Sequence, residues 1–161
     1  MNILILTSLI AALLGTALIT GILFIFSNTI MHSLSQVPAP EGIRAMQTIN
    51  RVIQNPLFFL IFFGTTVLSV INGVASFMNW GGELPNTFIA ASAFYMIGVF
   101  IVTAAGNVPM NNKLDTLDPN AGEAYWKTYL KDWTRLNHIR SATGSISIVL
   151  YTIGLLQINW G

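Results

Sequence analysis

Trp133, Asn137, Arg140 and Gly144 recur at the spacing that aligns side chains along one helix face, with His138 and Ser141 beside them. Asn107 and Asn111 close the preceding apolar run, and Asn28 and Asn50 come from the first half of the chain. Neutral amides, one imidazole and one guanidinium, closed in by aromatics, suit an apolar molecule whose one or two oxygens develop negative charge. Arg140 and the amides could stabilise an enolate or phenolate. His138, the residue type that titrates nearest neutrality, could act as general base. The candidate catalytic residues are therefore His138 and Arg140. The candidate substrate-binding residues are Asn28, Asn50, Asn107, Asn111, Trp133 and Asn137. A plainer role stands beside this one: Arg and His at a helix entrance also anchor a membrane protein.

Other chemistries lack their residues. The chain has no Cys and two His, His32 and His138, too few soft ligands for a metal quartet, so no metal site is expected. No Ser-His-Asp spacing, phosphate loop or pair of carboxylates is present. No basic patch with interleaved aromatics stands free of the apolar runs, which argues against nucleic acid.

The elements that must position these residues are apolar. Hydrophobic residues make up 53% of the 161 and charged ones 8%, far below the roughly 25% of a soluble domain. Mean hydropathy is +0.66. Four runs, Asn2–Phe26, Leu57–Met78, Thr87–Ala105 and Ser141–Ile158, come near the roughly 20 residues that span a bilayer. The expected fold is all-α: a single domain over residues 1–161, an integral membrane four-helix bundle. A short interfacial helix follows helix one, and an amphipathic helix runs into helix four. Helices are expected because a backbone in lipid must satisfy its own polar groups, and no alternating strand pattern appears. The first run has no basic residue before it and is too long for a signal-peptide core, so it reads as a span.

Arg44 and Arg51 lie between the first and second runs, and Lys113, Lys127, Lys131, Arg135 and Arg140 between the third and fourth. The positive-inside rule then predicts both long connections in the cytoplasm and both termini on the other side. Thr20, Phe24, Ser27, Asn28 and Met31 are expected on one face of helix one, with Asn28 either bridging helices or facing a ligand. His32 fits a solvated interfacial position. Pro38 and Pro40 break the chain. From Glu41 a stripe of Ile43, Met46, Ile49, Val52 and Ile53 predicts an amphipathic helix that lies in the interface or dips between spans. Pro56 starts helix two, whose Thr65, Ser69, Asn72 and Ser76 form a polar seam for helix packing or for a cavity. Trp80 reads as an interfacial anchor and Gly81-Gly82 as a turn. Helix three puts Ser92, Tyr95, Val99 and Thr103 on one face. Pro109 predicts its end at Val108. Asn120 and Glu123 fit a capping box, and from Ala121 no breaker occurs before Gly144.

Asn107-Val108-Pro109-Met110-Asn111-Asn112-Lys113-Leu114, then Trp126, Tyr129 and Trp133-Thr134-Arg135-Leu136-Asn137-His138-Ile139-Arg140, resemble the signature of the anthrone oxygenase-like family. The segments Phe26–Thr29, Pro38–Gly42 and Met46–Arg51 also look familial, so the resemblance covers nearly the whole chain. It departs at Leu136, where an aromatic is common, and at Ser141, where Thr is common. The resemblance implies a small membrane oxygenase that converts an anthrone-like or phenolic polycyclic substrate to a quinone with O₂ as co-substrate and no cofactor. Its partners would be a hydrophobic small molecule and the lipid bilayer, and a homo-oligomer is conceivable. Two other classes stay open. One is a binding module for quinone, haem or lipid, with His32 and His138 as axial ligands or the chain as a small subunit of a larger membrane assembly. The other is a structural membrane protein.

Overall fold

A computed structural model of the chain describes residues 3–80 and 84–158, so the Gly81-Gly82 turn lies outside the described residues. The described residues form five helices: α1 (Ile3–Ser35), α2 (Ala39–Ile53), α3 (Pro56–Phe77), α4 (Thr87–Asp115) and α5 (Glu123–Gln157). All but α2 are long and apolar enough to cross a membrane. Their outer faces carry exposed Leu14, Leu60, Val67, Ile97 and Leu156, side chains that only lipid would cover at low cost. At 35 residues α5 is about 52 Å long, well beyond the roughly 30 Å hydrocarbon core. Its first turns therefore stand outside that core, as the uninterrupted pattern predicts.

Inside, the spans meet through small residues. A Cβ added to Gly98 would lie 2.3 Å from the Thr143 Cβ, and one on Gly144 2.3 Å from the Thr20 Oγ1. Gly15 meets Thr65 and Gly73 meets Ser92 in the same way. With little hydrophobic drive between helices in lipid, such close approach holds a bundle together. The seam on α3 serves this packing: Ser8 donates to Asn72 at 2.7 Å, Ser76 donates to the Pro85 carbonyl at 2.9 Å, and Tyr151 donates to Ser69 at 3.5 Å. Tyr95 is fully buried and its hydroxyl faces the Phe62 carbonyl at 3.4 Å. Replacing Gly98 with Leu is expected to cost about 1–3 kcal/mol, because the Thr143 Cβ cannot rotate away. Unfolding in mixed micelles reads the loss; an unchanged midpoint would mean α4 and α5 are not held at this point.

The connections differ from the sequence expectations in four places. Helix three does not end at Val108. Val108 is helical (φ −62°, ψ −47°), and α4 runs on to Asp115. A π-helical turn at Thr103–Asn107 shifts the hydrogen-bond ladder just ahead of Pro109. Pro109 then sits in the first turn of the following α-helical segment, where its missing donor is tolerated. In α1 a second π-turn, Phe26–Ile30, carries the buried line from Leu23 and Phe26 to Met31. Asn28 points outward rather than sharing the inner face, and so does Phe24, which lies ahead of the turn beside the buried Leu23.

The capping box is absent. Gly122 is the cap of α5, and Asn120 instead accepts from the Arg44 guanidinium at 2.9 Å. The α2 stripe is also rotated: Gly42, Ile43, Met46, Gln47 and Asn50 are buried and Val52 is exposed. The reason is its partner. Gln47 donates to the Leu114 and Leu117 carbonyls, both at 3.0 Å, which docks α2 under the bundle against the end of α4. Ile43 and Met46 pack there with Leu114, Trp126, Tyr129 and Trp133, while Phe26 and Met31 close the cluster from α1. Asn55 caps α3 by accepting from the Phe58 amide at 3.0 Å, as Asn55-Pro56 predicts.

Candidate functional site

The π-turn in α4, the docking of α2 and the stacked Trp126–Tyr129–Trp133 column on α5 together enclose a cavity of about 270 Å³. Its wall is apolar: Ile19, Leu23 and Phe26 from α1, Met46 and Ile53 from α2, and Phe58, Phe59, Phe62 and Phe63 from α3. Its polar edge is Asn50, Thr103, Asn107, Asn111 and Arg140, with Trp133 beside them. Such a balance, mostly apolar with convergent polar groups on one edge, is that of a small-molecule site; the volume is near the lower end of the roughly 300–1,000 Å³ range. A ligand of a few fused rings would fill it.

Arg140 dominates the electrostatics. It is 5% exposed. One terminal nitrogen donates to the Asn137 Oδ1 at 2.6 Å and the other to the Thr103 hydroxyl at 3.2 Å. The guanidinium carbon lies 5.2 Å from the Trp133 ring centre. Nε has no partner, and among the described residues no carboxylate pairs with this side chain. Burying a cation costs several kcal/mol, whereas a cation–π contact returns about 0.5–2 kcal/mol. The site is thus short of one negative charge.

The amides around it offer donors. The Asn111 Oδ1 accepts from the Tyr129 hydroxyl and from the Trp133 Nε1, both at 2.7 Å. Indole is donor-only, so the oxygen must face α5 and the Asn111 NH₂ is left free. The Asn50 Nδ2 is buried without a partner. The Asn107 Nδ2 donates to the Trp133 carbonyl at 3.2 Å, which leaves its Oδ1 as a lone unpartnered acceptor. Arg140 and the Asn50, Asn107 and Asn111 amides stand at the edge of an apolar cavity, a set of groups that could receive a planar molecule with an anionic or strongly polarised oxygen.

Six of the eight residues singled out from sequence come together here. Asn50, Asn107, Asn111, Trp133 and Arg140 line the cavity. Asn137 stands one step behind: its Nδ2 donates to the Leu23 carbonyl at 2.7 Å and to the Ser27 hydroxyl at 2.6 Å, and its Oδ1 holds Arg140. It therefore positions the guanidinium rather than meeting a ligand. His138 and Asn28 are not in the cavity. Both are exposed and line an open groove on the outer side of α1 and α5, with His32, Ser27 and Ser141. The cause is helical phase: residues two apart on an α-helix point about 200° from each other, so inward Arg140 sends His138 outward.

Thr103 and the two phenylalanine pairs of α3 were missed as site residues. Thr103 was legible only as a packing position of its helix. The pairs Phe58-Phe59 and Phe62-Phe63, four residues apart, do carry a signal, an aromatic stripe at helical spacing. Nothing in the sequence separates such a stripe from a lipid-facing one.

The family model described as anthrone oxygenase matches residues 58–152, more than half of the chain, and these include Asn107, Asn111, Trp133, Asn137 and Arg140. No curated protein and no solved structure matches the chain.

Proposed function

From the chain's membership of the anthrone oxygenase family, we propose that it is a membrane oxygenase that converts an anthrone-like or phenolic polycyclic molecule to a quinone, with O₂ as oxidant and no cofactor. The observation that carries this reading is the buried, unpaired guanidinium of Arg140 facing an aromatic cavity. An anthrone that loses a proton from the carbon opposite its carbonyl becomes an electron-rich enolate. Its oxygen meets Arg140 and the free Asn50 and Asn111 amides, which favour the anion over the neutral ketone. The phenylalanines and Trp133 hold the ring plane and keep water out. The anion gives electrons to O₂, and one oxygen atom bonds to the deprotonated carbon. Loss of the remaining hydrogen on that carbon with cleavage of the O–O bond gives the second carbonyl and one water.

Among the described residues no His, Asp or Glu lines the cavity, so on this reading the acidity of the bound substrate, raised by Arg140, does the work first assigned to His138. The proton leaves to water at the polar lip formed by Gln54 and Asn112. His138→Ala is accordingly expected to keep the oxygen-consumption rate within about twofold of wild type, as surface changes away from a site generally do. A loss of tenfold or more would return His138 to the mechanism. The direct test is oxygen uptake by purified protein supplied with anthrone, with the quinone followed by its absorption. One quinone per O₂ is expected, and a wild type without uptake overturns the reading.

A second reading rests on the same donors. A receptor for polarised oxygens without a base in its wall equally suits a non-catalytic quinone carrier. Quinone co-purifying in mild detergent, with no oxygen uptake, would favour it. For orientation we propose that α2 and the long α4–α5 connection face the cytoplasm. All seven Lys and Arg fall on that end of the bundle, in α2, at the end of α4 and along α5 to Arg140. Reporter fusions at the two ends of the chain test this, and cytoplasmic termini would reverse it.

A further inference from the structure

On the side that faces away from the membrane the cavity is covered except at the narrow lip of Gln54 and Asn112. There α2 lies across it, held by Gln47 on the Leu114 carbonyl of α4 and the Leu117 carbonyl just beyond it, and by Met46 and Ile43 against the aromatic column. It is sealed toward the bilayer centre by Phe62 with Ile19, Tyr95 and Val99. Its exposed lining residues run along the flank between these two sides and end at that lip. They are Phe59 (40% exposed), Phe63 (51%) and Val108 (41%), with Gln54 and Asn112 at one end. Phe59 and Phe63 are three and seven residues into α3 from Pro56, about 4.5 and 10 Å along the helix. The apolar part of the rim thus stands within the span, and its polar part stands at the headgroup level.

We propose that this rim is a lateral doorway between α3 and α4, through which the cavity takes its ligand from the bilayer leaflet next to α2. This inference rests on the cavity being the ligand site of the proposed function. It adds the substrate class: a molecule dissolved in the membrane, apolar over most of its surface, with its oxygens on one edge. Such a molecule rests in a leaflet with its oxygens toward the headgroups. The rim repeats that order, with amides at the headgroup end and phenylalanines deeper. Sliding sideways brings the apolar body onto the phenylalanine wall and the oxygen edge toward Arg140. A freely water-soluble phenol would instead need an aqueous mouth where α2 lies.

Trp133 lines the cavity and reports on the doorway. In a protein carrying Trp80→Phe, Trp126→Phe and Trp160→Phe, Trp133 is the only fluorescent indole. In vesicles of phosphatidylcholine brominated high on the acyl chain, an empty cavity open to the leaflet admits a chain segment. Trp133 is then expected to be quenched strongly by the brominated lipid and weakly by aqueous acrylamide. Val108→Phe, which narrows the rim, should remove most of the lipid quenching, and Phe63→Ala, which widens it, should increase it. Stronger quenching by acrylamide than by lipid, no quenching by either, or lipid quenching unmoved by both rim variants would overturn the doorway. The readout needs neither substrate nor oxygen. Absent anthrone turnover with lipid quenching intact would therefore count against the oxygenase reading alone.

Discussion

Arg140→Met is expected to lower anthrone-dependent oxygen uptake by about 10²–10³, the usual loss when a preorganised charge facing a developing anion is removed. The same substitution should leave the thermal midpoint of the bundle unchanged or raised. Arg140 is buried and, among the described residues, has no carboxylate beside it, so an apolar side chain of similar length relieves an uncompensated charge. The loss it brings is the Asn137 Oδ1 acceptor left without its donor, a cost of about 1–3 kcal/mol that opposes this gain. Arg140→Lys keeps the charge but not the fork that reaches Asn137 and Thr103 together, and should fall between the two. Oxygen-electrode rates and detergent melting curves on the same preparations separate the outcomes. If activity and midpoint fall together, Arg140 is a structural strut and the anion-receptor account is wrong.

Asn111→Asp is the second large effect, and it is close to isosteric. The Asp can keep one oxygen where the Asn111 Oδ1 accepts from Tyr129 and Trp133. Its other oxygen replaces the free NH₂, turning a donor at the cavity edge into a negative charge. A like charge placed about 7 Å from a bound enolate costs about 2.4 kcal/mol at an effective dielectric near 20, which corresponds to roughly 50-fold weaker binding of the anion. The measurement is quenching of Trp fluorescence by an anionic anthrone analogue, compared with a neutral hydrocarbon of the same ring system. Asn111→Asp should discriminate against the anion and leave the hydrocarbon unchanged. Equal weakening of both would mean that the substitution had merely disturbed packing around Trp133.

Both effects depend on helical phase, and phase is where sequence and structure part. Counting from Trp133 at 3.6 residues per turn puts Asn137, Arg140 and Gly144 on one side, and all four are buried. The same count puts His138 on the far side of Arg140. Proximity along the chain and the familiar chemistry of imidazole drew it into the site instead. In α1 the expected face held at Thr20 and Met31, which are buried, but not at Phe24 and Asn28, which are exposed, and the π-turn at Phe26–Ile30 adds a residue that no local residue preference announces. Pro109 misled for a related reason. A proline after an apolar run usually ends a helix, yet the π-turn at Thr103–Asn107 absorbs it, and α4 continues far enough to bring Asn111 under Tyr129 and Trp133.

The sequence alone determined that this is an all-α chain with four apolar spans, because burial in lipid allows few other structures and 8% charge leaves few other solvents. It also determined which residue types could receive an anion, since Arg140 and the amides are conspicuous in so apolar a chain. Only the tertiary structure decided which of them meet. The docking of α2, fixed by Gln47 reaching the Leu114 and Leu117 carbonyls at and just beyond the end of α4, brings Asn50 to the cavity. Asn137, bonded to Leu23 and Ser27 of a neighbouring helix, aims Arg140. These are contacts between residues 67 to 114 positions apart, set by how helices pack and where π-turns shift their faces. No local periodicity encodes them, because each depends on the shape of a partner that the local sequence does not contain.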